Sequence, residues 1–227
     1  MNILICTILR NRAQHLKLWN QQINKLAELN PAINFWLSIY TNDNSDSTIE
    51  TYNSLTWNLP ITFQSETLNT NYYGSFKHRD RVANLAAARN KCMTVSFINQ
   101  ADKVVWIEPD VIYDEQRASK LLYLNVDIIS GRSVCPGSQL YDSWATRKNP
   151  GDTDWVGEIP TEGLHQVYST FNGFCVYNTM PIRRGCVFSA HNNKTNTYDC
   201  DTAVICQQFH DAGYTNIQLD AGFIIQH

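Results

Sequence analysis

The sequence predicts an α/β fold, one domain with a mostly parallel central sheet flanked by helices. Three observations carry that expectation. Short apolar runs of strand length alternate with helix-spaced segments as far as about residue 130. The first run, Ile3 to Leu9, is apolar apart from Thr7, as suits a strand buried on both faces. The 227 residues suffice for one sizeable core, and no Gly/Ser/Pro-rich linker marks a boundary.

Each element has its own warrant. After the strand at 3–9, Leu16, Trp19, Ile23 and Leu26 recur at helical spacing within 10–29. Residues 33–40 read as a second strand, closed by the polar loop Thr41 to Ser47. A helix is predicted from Thr48, with Ser47 or Asp46 as its cap and Glu50 in its first turn. A short strand is expected near Ile61, a polar and aromatic loop over 65–78, and a helix over 81–98 with three consecutive alanines. A buried strand over 104–107, a helix over 114–124 and a strand over 126–130 complete the alternating half. Residues 131–170, rich in Gly, Pro, Trp and Tyr, predict an ordered, irregular binding surface. A strand at 173–177, a helix over 200–212 and a strand over 217–225 close the chain. Residues 1–130 are expected to form a nucleotide-sugar-binding part and 131–227 an acceptor-binding part.

A net charge of -3 argues against a nucleic-acid partner held by bulk charge. Seven scattered cysteines (Cys6, Cys92, Cys135, Cys175, Cys186, Cys200, Cys206) form no CxxC pair, which predicts reduced, buried thiols and a cytoplasmic location. The alternative is a lumenal enzyme whose anchor has been removed; the sequon Asn193-Lys194-Thr195 suits it. No long apolar stretch precedes Arg10, so no signal peptide or transmembrane segment is expected.

The chemistry concentrates between Arg79 and Asp110, where a basic helix start leads to a buried strand ending in Glu108-Pro109-Asp110. Two carboxylates at such a strand end can hold Mn²⁺ or Mg²⁺, whose remaining sites accept phosphate oxygens. An acidic β-turn with a central proline is the structural alternative. His227, after the last apolar strand, could complete the ligand set. Arg79, Arg81 and Arg89, with Asn90 beside the last, are candidates for a diphosphate, Arg being suited to bidentate contact. Asp43 and Asp46 could meet a base and ribose. Asp142, Trp144 and Arg147 lie together; an aromatic platform with a nearby carboxylate suits a sugar ring, and a structured loop packed by its Trp is the alternative. Phe171-Asn172-Gly173 reads as a tight turn. Asp199 and Asp201 either cap the last helix or act as general base toward an acceptor hydroxyl. Together these residues predict a glycosyltransferase that uses a nucleotide sugar.

The loop Asp43 to Thr48, the segment Leu85-Ala86-Ala87-Ala88-Arg89-Asn90 and the strand into Glu108-Pro109-Asp110 resemble motifs of GT-A fold (Rossmann-like) glycosyltransferases. Tyr141-Asp142-Ser143-Trp144-Ala145-Thr146-Arg147, Phe171-Asn172-Gly173 and Asp199-Cys200-Asp201 extend the resemblance to the fungal capsule-associated α-1,3-mannosyltransferases. The resemblance implies GDP-mannose as donor, with a UDP-sugar as alternative, and a glycan hydroxyl as acceptor. The acid pair departs from the Asp-x-Asp of that pattern, being Glu-Pro-Asp. Two rivals remain. A non-catalytic glycan-binding domain would keep the fold. A sugar nucleotidyltransferase would need a glycine-rich phosphate loop, and Ile8 to Ala13 contains no glycine.

Overall fold

The computed structural model describes residues 1–75, 77–134 and 140–227. Cys135 and Gln139 lie outside the described residues. In the first half, β1 (Asn2–Leu9), α1 (Ala13–Glu28), β2 (Asn34–Asn42), α2 (Thr48–Ser54), β3 (Ile61–Glu66) and α3 (Arg79–Met93) alternate as expected. There follow β4 (Lys103–Ile107), β5 (Ile112–Tyr113), α4 (Glu115–Leu122) and β6 (Ile128–Val134). The second half adds β7 (Leu164–Gln166), β8 (Phe174–Asn178), α5 (Thr179–Arg183), β9 (His191–Asn192), β10 (Thr197–Tyr198), α6 (Asp201–Asp211) and β11 (Ile217–Gln226).

The main sheet runs β3-β2-β1-β4-β8-β6-β11-β5, with β7 also on β11. Strands β1 to β4 pair in parallel, as do β6 and β11. β8 runs against both neighbours, so the second half is mixed where strand–helix alternation alone predicted parallel pairing. The reason lies in its entry: β8 follows the turn at Asn172-Gly173 with no crossover helix before it, and a parallel partner needs one.

Alternation along the strands sends side chains to two cores. Leu4, Cys6, Val104, Trp106, Cys175 and Tyr177 meet α3 and α6 on one face. Ile3, Ile5, Val105, Ile107, Phe174 and Val176 meet α1 and α4 on the other. In α1, Leu16, Trp19, Ile23 and Leu26 form the buried stripe the spacing predicts. The Trp19 indole also donates to the Ile107 carbonyl (3.2 Å), pinning α1 beneath the end of β4. β11 changes register between Asp220 and Ile224, which returns Phe223 and Ile225 to the α1 face while Leu219 keeps the other.

The predicted helix over 81–98 ends at Met93. Thr94 donates its hydroxyl to the Lys91 carbonyl (2.6 Å) and Val95 is extended, so a separate 3₁₀ turn spans Ser96–Asn99. Within 131–170, β6 continues to Val134 and β7 adds an edge strand. Neither Asp199 nor Asp201 caps α6: its N-cap is Cys200. The six described cysteines are free and buried. Among the described residues no helix is long and apolar enough to cross a membrane.

Candidate functional site

Strands β1, β2, β3, β4, β6 and β11 all end on one edge of the sheet, as their pairing directions require. Among the segments leaving these ends are Arg10 to Arg12, Asp43 to Asp46, Glu108 to Asp110 and His227. Ligands of open α/β sheets bind at this edge.

The strand-end acids and the last residue converge. After Asp110 the chain enters β5, which pairs with the end of β11 in the register Gln226↔Ile112. That register brings His227 level with Val111, beside Asp110. One ligand atom from each of Glu108, Asp110 and His227 lies within 4.8 Å of the others. Glu108 is further held by its backbone N–H, which donates to the Gly173 carbonyl (2.8 Å). Gly173 has φ +77°, and a Cβ there would stand 2.7 Å from Val111 Cγ1 and 3.2 Å from the His227 ring. Only glycine fits this approach. The Tyr141 ring lies flat on the imidazole, centroids 3.8 Å apart.

The electrostatics suit a divalent cation. Burial and the neighbouring Asp110 charge push Glu108 up to about 7, against the pull of Arg89. Loss of water around the ring lowers His227 in spite of Asp110, so its lone pair stays available. Two carboxylates and a neutral imidazole are a donor set that fits Mn²⁺. Each carboxylate also has an arginine: Arg12 Nη2 is 3.3 Å from Asp110 Oδ2, and Arg89 Nη2 is 3.2 Å from Glu108 Oε1.

Two clefts meet here. One, of about 210 Å³, runs from Arg10, Asn42 and Tyr72 past Arg12 and Arg81 to Asp110. The other, of about 250 Å³, is walled by Asp142, Trp144, Phe171 and Asp201. Arg81, Leu85, Arg89, Glu108 and Tyr141 line both. Arg89, on the inner face of α3, donates to Asp201 and Glu108. Burial opposes its charge, but Asp201 and Glu108 outweigh burial and keep it protonated. Arg81 pairs with no carboxylate among the described residues. Arg79 is exposed at the start of α3 and lines neither cleft. Asn90 also turns elsewhere, exchanging two hydrogen bonds with the Phe188 backbone (2.8 and 3.0 Å).

Asp43 and Asp46 have their oxygens engaged within the chain. Asp43 accepts from the backbone N–H of Leu68, Asn69 and Thr70 and from the Thr70 hydroxyl, at 2.6–3.0 Å. Burial opposes its charge, and these bonds overcome that to hold the carboxyl well below the usual range. The ordered 68–70 turn in turn holds Arg10, which donates to the Thr70 carbonyl (2.7 Å). Asp46 accepts from Thr48 N (3.0 Å) and Ala13 N (3.1 Å), the first residues of α2 and α1, whose N-caps are Ser47 and Arg12.

In the second cleft, the buried Asn172 holds the 141–147 turn. At φ +59°, it donates from Nδ2 to the hydroxyls of Ser130, Thr146 and Thr170 (2.9–3.1 Å) and accepts from Ser133 (2.7 Å). Its backbone N–H donates to Asp142 Oδ2 (3.1 Å). Burial raises Asp142 in spite of that bond. Arg147 grips Asp199 through both terminal nitrogens (2.5 and 3.0 Å). Arg147 thereby outweighs the effect of burial and lowers the Asp199 carboxyl; Asp199 lines neither cleft.

The structure thus groups Glu108, Asp110, His227, Arg89, Asp142 and Asp201, and leaves Arg79, Asn90 and Asp199 aside. Sequence reasoning passed over Arg10 and Arg12; the available signal was their place directly after a buried strand.

Comparison with known proteins bears on the family and the fold. A family profile described as cryptococcal mannosyltransferase 1 matches residues 2–211. No curated protein sequence matches the chain. Among solved structures, S. aureus TarS in complex with UDP-GlcNAc is similar at 11% identity and a TM-score of 0.57, covering 100% of this chain and 59% of that one. The mannosyltransferase PcManGT from Pyrobaculum calidifontis, in complex with GDP-Man and Mn²⁺, is similar at 13% identity and a TM-score of 0.54, covering 97% of this chain and 56% of that one. The chain therefore spans less than two thirds of either protein. At such identities the likeness speaks for the fold, which is the GT-A fold.

Proposed function

Because the chain belongs to the cryptococcal mannosyltransferase 1 family, we propose that it is a metal-dependent glycosyltransferase. It moves a hexose, mannose by preference, from a nucleoside diphosphate sugar to a glycan hydroxyl. GDP-mannose is the favoured donor and a UDP-sugar the alternative. The observation that carries this reading is the convergence of Glu108, Asp110 and His227 within 4.8 Å where two clefts meet.

The residues divide the work. The cleft with Arg10, Arg12, Arg81 and Arg89 takes the nucleoside diphosphate, whose charge those guanidinium groups complement. Asp43 and Asp46 act there by shaping the wall rather than by direct contact, their oxygens being engaged with the chain's own amides. Glu108, Asp110 and His227 would hold Mn²⁺ or Mg²⁺, which supplies positive charge against the departing diphosphate. The other cleft takes the acceptor: Trp144 offers a sugar-stacking face, and Asp142, with its raised proton affinity, receives the acceptor hydroxyl's hydrogen bond. Asp201 stays paired with Arg89 and sets the shape of that cleft. The proposed metal ligands come from both parts of the chain, 1–130 and 131–227, so the nucleotide-binding and acceptor-binding parts adjoin at that cluster. The six described thiols, buried and free, support a cytoplasmic location.

A thermal-shift panel tests the reading, with GDP, UDP, GDP-mannose and UDP-glucose each with and without Mn²⁺. A ligand that binds only the folded state raises its melting temperature. A Mn²⁺-dependent rise with one nucleotide and its sugar is expected. No rise under any condition favours the glycan-binding domain instead.

A further inference from the structure

We propose that Arg12 is an exchange residue, bound to Asp110 when the cleft is empty and to the donor diphosphate when it is filled, so that nucleotide binding releases Asp110 for the metal. The inference rests on the reading of the clefts given above. The Arg12 guanidinium stands 3.3 Å from Asp110 Oδ2, with both side chains partly exposed, at 38% and 29%. A pair so open to water is weak and readily exchanged. Arg12 lines the same cleft as Arg10 and Arg81, the cleft assigned above to the nucleoside diphosphate. Its backbone is fixed independently of its side chain, since Arg12 N donates to Thr48 Oγ1 (2.8 Å) and Ala13 N donates to Asp46 Oδ2 (3.1 Å). The side chain can therefore swing without disturbing α1.

Asp110 is the metal ligand that Arg12 occupies, whereas Arg89, which faces Glu108, is locked by Asp201 and only 6% exposed. Of the two arginines at the metal ligands, Arg12 alone has the freedom to change partners. A diphosphate offers it a bidentate, doubly charged partner in place of one carboxylate oxygen. Metal and nucleotide then bind with positive coupling beyond their direct contact, and by linkage the coupling is the same in both directions.

The test is Mn²⁺ binding to the full chain, read from the electron paramagnetic resonance of free Mn²⁺, with and without GDP and with and without UDP. Nucleotide affinity is measured in parallel by calorimetry. In R12Q, Mn²⁺ alone should bind about two- to five-fold tighter, the scale of an exposed ion pair. Nucleotide alone should bind about tenfold weaker, for loss of a charged hydrogen bond. The factor by which nucleotide tightens Mn²⁺ should shrink two- to five-fold, while R12K retains most of it. Weaker Mn²⁺ binding by R12Q alone would show that Arg12 only orients Asp110, and overturns the exchange. An equal gain with and without nucleotide is a general charge effect and also overturns it. Mn²⁺ binding to neither protein under any condition overturns the metal reading itself, and the exchange with it. Should R12Q fail to fold, D110N serves: nucleotide alone must bind it more tightly than wild type, and an unchanged or weaker affinity overturns the proposal.

Discussion

Arg89, which lines both clefts, and Asp201, which lines one of them, form an ion pair with both side chains almost wholly out of water, 6% and 5% exposed. Breaking such a pair leaves a charge buried without its partner, which costs about 3–5 kcal/mol. Arg89→Met is therefore expected to lose stability on that scale in urea unfolding. Asp201→Asn should lose less, because Glu108 still faces Arg89. A loss below about 1 kcal/mol in Arg89→Met would mean the pair adds nothing net, as exposed pairs often do.

Asp110 is only partly buried, and among the described residues it pairs with Arg12. Asp110→Ala should abolish metal-dependent donor cleavage while its melting temperature stays close to that of wild type. Release of nucleoside diphosphate from the donor, with and without Mn²⁺, is the readout. Retained activity in that variant would sink the transferase assignment.

Glu108 carries its proton up to about 7, chiefly through burial and the Asp110 charge. A metal has to displace that proton. Mn²⁺ affinity should fall about tenfold from pH 8 to pH 6, as the carboxylate fraction does, and Glu108→Gln should flatten the profile. The same shift acts on the metal-free fold with a definite sign. The folded state binds more proton than the unfolded chain between the ordinary Glu value and about 7. Its stability contribution is thus present at low pH and lost as pH rises through that window. A profile insensitive to Glu108→Gln would remove Glu108 from the ligand set.

Gly173 offers a way to disturb the metal centre without touching a ligand. A methyl group there meets Val111 at 2.7 Å and the His227 ring at 3.2 Å, at a φ of +77°. Gly173→Ala should cost about 1–3 kcal/mol of stability, from backbone strain and overpacking. It should also weaken Mn²⁺ binding about tenfold, because supporting residues orient metal ligands. Denaturant unfolding and a Mn²⁺ titration read the two effects separately. Wild-type Mn²⁺ affinity in this variant would show that His227 does not depend on the close packing at Gly173.

How much was legible in the sequence differs from residue to residue. Glu108 and Asp110 could be read because a buried apolar strand delivers its next residues to the sheet edge whatever the rest of the chain does. The stripe of Leu16, Trp19, Ile23 and Leu26 could be read because its spacing is set by the helix itself. Asp43 and Asp46 could be placed in an edge loop, but an acidic loop that meets a ligand and one that caps backbone N–H groups look alike in sequence. Asp199 and Asp201 are two residues apart, and one is gripped by Arg147 while the other faces Arg89. Local pattern could not separate them, since their partners come from remote segments.

By itself, then, the sequence determined the order and kind of the longer strands and helices, though not the short elements β5, β7, β9, β10 and α5, and it placed the acids at the end of β4; these follow from periodicity and neighbours along the chain. Only the tertiary structure decided that β8 would run against its neighbours, that the register of β5 on β11 would bring His227 to Asp110, and that Arg12 would face that same carboxylate. Those outcomes depend on strand register and close packing between segments far apart in sequence, which are settled when the whole sheet assembles.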